Sequence, residues 1–231
     1  MQIPAPIQEE AHAGLLNMHA SPLHHFDWRT RRQIYRLFTP LSNPIVFKAR
    51  SYLAILAAEY VHPVFSSRFP ERDLPRRLID TSIRVVDGIL NKDDPQVLEI
   101  EDEGYHATGG FIAYDDKVQG VICNASYAAF ATYKALVEIL HMPDPWQHID
   151  HLGKIKSQYS VGGEVDSPVW TPGSEFTDED WAGLAGAGDT AAAAAMAIAT
   201  TEDSAMPQPE RLKTFWIWWV NVALPGAWES A

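Results

Sequence analysis

A single cysteine in 231 residues, Cys123, excludes an intramolecular disulfide framework. A membrane-crossing helix needs roughly 20 apolar residues. The apolar run at residues 215–224 is about half that length and is broken by Asn221, so no membrane partner is expected. Basic side chains are scarce: 18 Lys and Arg stand against 30 Asp and Glu, a net charge of −12. Phosphate backbones are held mainly by Lys and Arg, so nucleic acid is not expected as a ligand. The first residues lack a basic-then-apolar leader pattern. With the lone cysteine, this sets the expectation of a cytoplasmic protein. No Gly-rich phosphate loop follows a strand pattern, and G-x-S-x-G and H-E-x-x-H are both missing. No segment alternates polar and apolar residues as a strand requires. The expected fold class is therefore all-α, a compact domain of seven to nine helices.

What is present is apolar and aromatic. Hydrophobic residues make up 46% of the chain, enough for a sizeable core. Half of the eight tryptophans (Trp216, Trp218, Trp219 and Trp228) fall in PERLKTFWIWWVNVALPGAW, residues 209–228. Pro209 and Glu210 suit the first turn of a helix. Leu212, Trp216, Trp219, Val220 and Ala223 form one stripe, with Phe215, Trp218 and Val222 beside it. Pro225-Gly226 is expected to end this helix. Apolar side chains around most of its girth predict burial among other helices.

Earlier in the chain, Ile7, Ala11, Leu15 and Met18 have helical spacing, and Pro22 stops that helix. Asp27 caps a short basic helix whose apolar face is Trp28, Ile34, Leu37 and Phe38. Arg29, Arg31, Arg32 and Arg36 are expected mostly on its solvated side. Asn43-Pro44 opens a long helix that Pro63 kinks or stops one turn late. A further helix is expected over residues 75–90, weakened near its end by Gly88. Residues 95–114 read as helix. In the helix over 121–140, Ala125, Ala128, Ala129, Thr132, Leu136 and Ile139 make a small-residue face suited to close approach. Cys123 lies in this apolar helix, so it is expected to be a small buried hydrophobe. Residues 152–176 read as a loop. Asp189 caps an alanine helix over 190–200, and alanine has the highest helix propensity. We divide the chain into an N-terminal extension over residues 1–40, which holds the basic helix, and an all-α domain over 41–231.

The chemistry-bearing residues are few. His148 and His151 sit three apart with Asp150 between them, a spacing that lets both face one metal ion. A third ligand would come from Glu99 or Glu103 with His106. That set underlies a rival function, an all-α metal-dependent hydrolase. The spacing matches no familiar metal signature, so the expectation is no catalytic residues, no metal and no cofactor. Charge is unevenly distributed: residues 1–92 carry 12 Lys and Arg against 8 Asp and Glu, while residues 93–231 carry 6 against 22. The densest group is Glu99, Glu101, Asp102, Glu103, Asp115 and Asp116. Without a strongly apolar setting, these carboxylates form a recognition face for a cationic partner.

Several stretches together resemble the fifth family of immunity proteins from bacterial polymorphic toxin systems. They are ARSYLAILAAEYVHPVF with the following RFPERDLPRRLID, then NASYAAFATYKALVEIL, and then the alanine run before RLKTFWIWWV and LPGAW. They extend over residues 49–228, and the first 40 residues take no part. The resemblance implies an all-α, non-enzymatic protein that binds and neutralises a cognate toxin made by the same cell. It carries no catalytic residues. A basic toxin such as a nuclease fits the acidic face. A helical scaffold whose charge is incidental stays open as a further alternative, and so does the oligomeric state.

Overall fold

Helix starts follow the capping chemistry of the sequence. The computed structural model describes residues 2–112, 123–141, 189–201 and 207–231, and it leaves the side chains of 108–112 and 123 undescribed. Within these residues the helices are α1 (Ala5–Ala20), α2 (Trp28–Leu37), α3 (Pro44–Ser66), α4 (Leu74–Val86), α5 (Pro95–Ile112) and α6 (Cys123–Leu140). After them come α7 (Thr190–Ala199), α8 (Pro209–Trp218), a π turn (Trp219–Ala223) and α9 (Leu224–Glu229). The described residues contain no β-strand, and the fold is all-α. The carboxylate of Asp27 accepts from the Arg29 N–H at 3.1 Å, Asn43 from Ile45 at 3.0 Å and Asp189 from Ala192 at 3.2 Å. All three expected caps are thus made, each satisfying an amide that the first turn leaves without a partner.

Two helix ends differ from expectation. α4 stops at Val86 rather than near Leu90. Gly88 adopts φ +71°, and the Ile89 and Leu90 amides turn back to the Arg84 carbonyl at 2.9 and 3.1 Å. Gly88 is therefore the stop, since only glycine takes that left-handed backbone freely. Pro225-Gly226, in contrast, does not end the C-terminal helix, which runs on to Glu229. The π turn precedes it, and the Leu224 amide donates to the Trp219 carbonyl five residues back. This wider turn interrupts the i−4 ladder just where proline would break it, so Pro225 fits as a first-turn residue of α9.

α3, α6 and α7 form the centre. α6 packs on α3, α7, α4 and α5, while α7 also packs on α3 and α8. Ala191 through Ala195 are wholly buried. A run of methyl groups on every side lets the neighbouring helices close in, at little cost in side-chain entropy. The expected small-residue face of α6 is buried at Ala125, Ala128, Ala129, Thr132, Leu136 and Ile139.

The aromatic core joins the two ends of the chain. Phe26 lies 5.5 Å from Trp216 and 5.8 Å from Trp219. Trp216 meets Trp219 edge-on at 87°. Phe38 stacks on Trp228 and Tyr60 on Trp218. Full burial of Trp216 and Trp219 contributes up to about 5 kcal/mol each before chain entropy is counted. The second expected stripe is divided: Phe215 is buried, Trp218 is half-buried and Val222 is exposed. Ile7, Phe26, Ile34 and Phe38, all from residues 1–40, share one core with these tryptophans.

Candidate functional site

α5 carries four of the six expected partner-binding carboxylates. Its inner face is Val97, Ile100 and Gly104, packed on α4 and α6. A Cβ on Gly104 would come within 2.8 Å of the Tyr133 ring, so glycine is what lets α5 lie this close to α6. The outer face holds Leu98, Glu99, Asp102, Tyr105 and His106, which fall three, four and seven residues apart. Leu98 and Tyr105 are 50% and 60% exposed. The structure distributes the carboxylates over two roles. Glu103 forms a two-pronged pair with Arg77 of α4 at 2.9 and 3.1 Å. Glu101 meets His141, just past α6, at 2.6 Å. These two anchor α5 to its neighbours. Glu99 and Asp102 remain exposed, and Asp102 lies 3.5 Å from His106. Asp115 and Asp116 lie outside the described residues.

Next to this face a cleft of 810 Å³ opens between α3, the α4–α5 connection and the end of α6. Phe47, Val85, Leu90, Ile139 and Leu140 form its apolar walls, and Asn91, Lys92 and His141 its rim. The neighbouring Ile89 is 64% exposed. The cleft and the outer face of α5 meet at the Glu101–His141 contact.

A second constellation escaped the sequence reading because it is buried. Arg31 was expected on the solvated side of α2, yet it is fully enclosed. Its Nε donates to Asp189 Oδ1 at 3.1 Å and one Nη to the Phe26 carbonyl at 2.5 Å. Its guanidinium lies over the Trp216 ring. Arg50 of α3 lies over the Tyr35 ring of α2. Lys134 and Glu138, one turn apart on α6, are also buried. The Glu138 carboxylate accepts from both the Thr190 N–H and, at 2.6 Å, the Thr190 hydroxyl. Burial pushes the Glu138 carboxyl upward, and the nearby Asp189 charge adds to this. Burial likewise pushes the Lys134 ammonium down. The Tyr35 phenol is raised well above its ordinary range, first by burial and then by Glu138 and Asp189. Charged side chains enter a core only where partners compensate them. Here the N-terminus of α7 points its positive end at two carboxylates. The only sequence signal was Lys134 and Glu138 on a helix otherwise alanine-rich all round.

The expected metal pair His148 and His151, with Asp150, lies outside the described residues. Among the described residues, no group of three or more His, Cys, Asp and Glu side chains is placed to hold a metal ion. No helix among them is long and apolar enough to cross a membrane. Compared with known proteins, the chain matches no family model, and no curated protein matches it.

Proposed function

We propose that this chain is a non-catalytic binding protein of the toxin-immunity kind that its sequence resembles. In this proposal it receives a basic protein partner on the outer face of α5. One observation carries the proposal: exposed apolar side chains, Leu98 and Tyr105, alternate with the exposed carboxylates Glu99 and Asp102 on one helix face. Aromatic and aliphatic anchors supply contact area in a protein interface, while surrounding charges steer the approach. The adjoining cleft offers an apolar recess for a partner side chain, and Ile89 extends the apolar surface beside it. The chain's net charge of −12 favours a cationic partner at long range.

The test is capture of the partner by the tagged chain in extracts of the cell that makes it, with a Glu99→Lys/Asp102→Lys double variant alongside. A basic polypeptide should be retained by the parent protein. Expressed alone, it should arrest growth, and co-expression of the parent chain should relieve the arrest. The double variant should associate about tenfold more slowly at low salt, and the gap should close as salt screens the charges. Equal association by both proteins at low salt would place the partner on another face. A captured polypeptide with no effect on growth would remove the immunity function.

A further inference from the structure

The buried centre between α2, α3, α6 and α7 contains two carboxyl groups whose hydrogen bonding is unbalanced. Both Thr190 donors go to the same oxygen of Glu138, Oε1. Its other oxygen, Oε2, is buried without any partner. Asp189 repeats the pattern, with Oδ1 accepting from Arg31 and from the Ala192 N–H while Oδ2 is buried without a partner. An ionised carboxylate has acceptors only, on both oxygens, and burying one of them without a donor is costly. A carboxylic acid differs, because one oxygen accepts and the other carries a proton to donate. One proton held between the two acids would give both lone oxygens a partner.

We propose that Glu138 and Asp189 hold a single proton between them, with Glu138 the neutral acid and Asp189 the charged member, and that this proton fastens the N-terminus of α7 to α6. The acid O–H on Glu138 Oε2 donates to Asp189 Oδ2, and no covalent bond is made or broken in the resting protein. Which group is charged follows from the cations around them. Arg31 of α2 lies on Asp189 at 3.1 Å, which sets the cation against Asp189 rather than Glu138. Glu138 has no salt-bridge partner among the described residues, and Lys134 one turn before it makes none. Among the described residues, the remaining groups facing the centre are Tyr35 from α2 and Arg50 from α3. Burial and the Asp189 charge act to keep the Glu138 proton on, and they outweigh Lys134 and the two Thr190 donors, which act against it.

A pH dependence follows. A carboxyl whose folded value is raised stabilises the fold fully below its unfolded value, about 4.3 for glutamate. That stability declines as pH rises and is lost once pH passes the raised folded value. Lys134 acts in the opposite sense at alkaline pH, because its folded value is lowered. It is present in both proteins compared below, so its effect largely cancels in their difference.

The test is infrared spectroscopy of the full chain at neutral pH, unlabelled and with ¹³C-carboxyl glutamate, together with Glu138→Gln. The parent protein should show the carbonyl stretch of a protonated carboxylic acid. The band should shift with the glutamate label and be lost in Glu138→Gln. The melting temperature of the parent should fall relative to Glu138→Gln as pH rises from acid to neutral and beyond. A parent protein with no such band at neutral pH overturns the proposal. So does a band that ignores the glutamate label or survives in Glu138→Gln, and so does a melting-temperature difference that is constant across pH. If Glu138→Gln does not fold, the labelled parent protein decides by itself.

Discussion

Gly14 and Arg31 show how far one side chain can constrain this core. A Cβ on Gly14 would lie 2.3 Å from the Phe26 ring. That ring cannot move aside, because it is fully buried against Trp216 and Trp219. Gly14→Ala is expected to destabilise the protein by about 1–3 kcal/mol, a typical cost of overpacking, read from the urea unfolding midpoint. Arg31 poses the opposite problem, since removing it strands a buried Asp189. Arg31→Met is expected to cost about 3–5 kcal/mol, and Arg31→Met/Asp189→Asn should cost less than the two single changes combined. A double-mutant cycle by chemical denaturation measures this coupling. Neither role could be read from sequence. Nothing local to Gly14 shows that Phe26 packs on it, and Arg31 looked like one of four solvated arginines, because the helical pattern of α2 does not reveal what packs against its far side.

At the scale of elements, α7 and the C-terminal helix make contrasting predictions. Ala193 is enclosed on all sides. Ala193→Leu adds three heavy atoms where helices meet through methyl groups, and is expected to lower stability by at least about 1–3 kcal/mol, measured by thermal unfolding. The π turn sets the register of everything after it. Deleting the exposed Asn221 would close the wide turn into a regular α-helix and keep Ala227 and Trp228 on the buried face. Pro225 would then stand inside an unbroken i−4 ladder, where its ring clashes with the carbonyl four residues earlier. A lower melting temperature with an unshifted tryptophan emission is the expected outcome. The helices themselves were legible. The caps at Asp27, Asn43 and Asp189 and the apolar stripes of α1 and α6 rest on local rules that tertiary packing did not override. The π turn was not legible, because a proline followed by glycine stops a regular helix, and only the packed state shows the wider turn that accommodates both.

For the molecule as a whole, the two ends of the chain close a single core. Ile7, Phe26 and Phe38 from the first 40 residues lie against the C-terminal tryptophans, and Arg31 reaches Asp189 near the opposite end. Removing residues 1–40 should therefore expose Trp216, Trp219 and Trp228 and leave Asp189 unpaired. The expected result is loss of cooperative unfolding and gain of binding to a hydrophobic dye, compared with the full chain. Charge at this scale was legible in part. The excess of carboxylates after residue 92 is plain in the sequence, and so is their density around Glu101. Which of them face outward was not. Glu101 and Glu103 turn to His141 and Arg77, leaving Glu99 and Asp102 with Leu98 and Tyr105 on the outer surface.

The sequence by itself determined that this chain is helical, where most of its helices begin and that its core is rich in tryptophan and alanine. Those properties depend on residues near one another along the chain: a cap two or three positions before its amide, or an apolar residue every third or fourth place. The tertiary structure alone decided that Arg31 is buried, that Glu138 and Asp189 both bond the first turn of α7, and that Glu101 and Glu103 are tied to His141 and Arg77. These properties depend on residues as much as 158 positions apart, whose contacts are chosen by how whole helices pack and leave no periodic trace in the sequence.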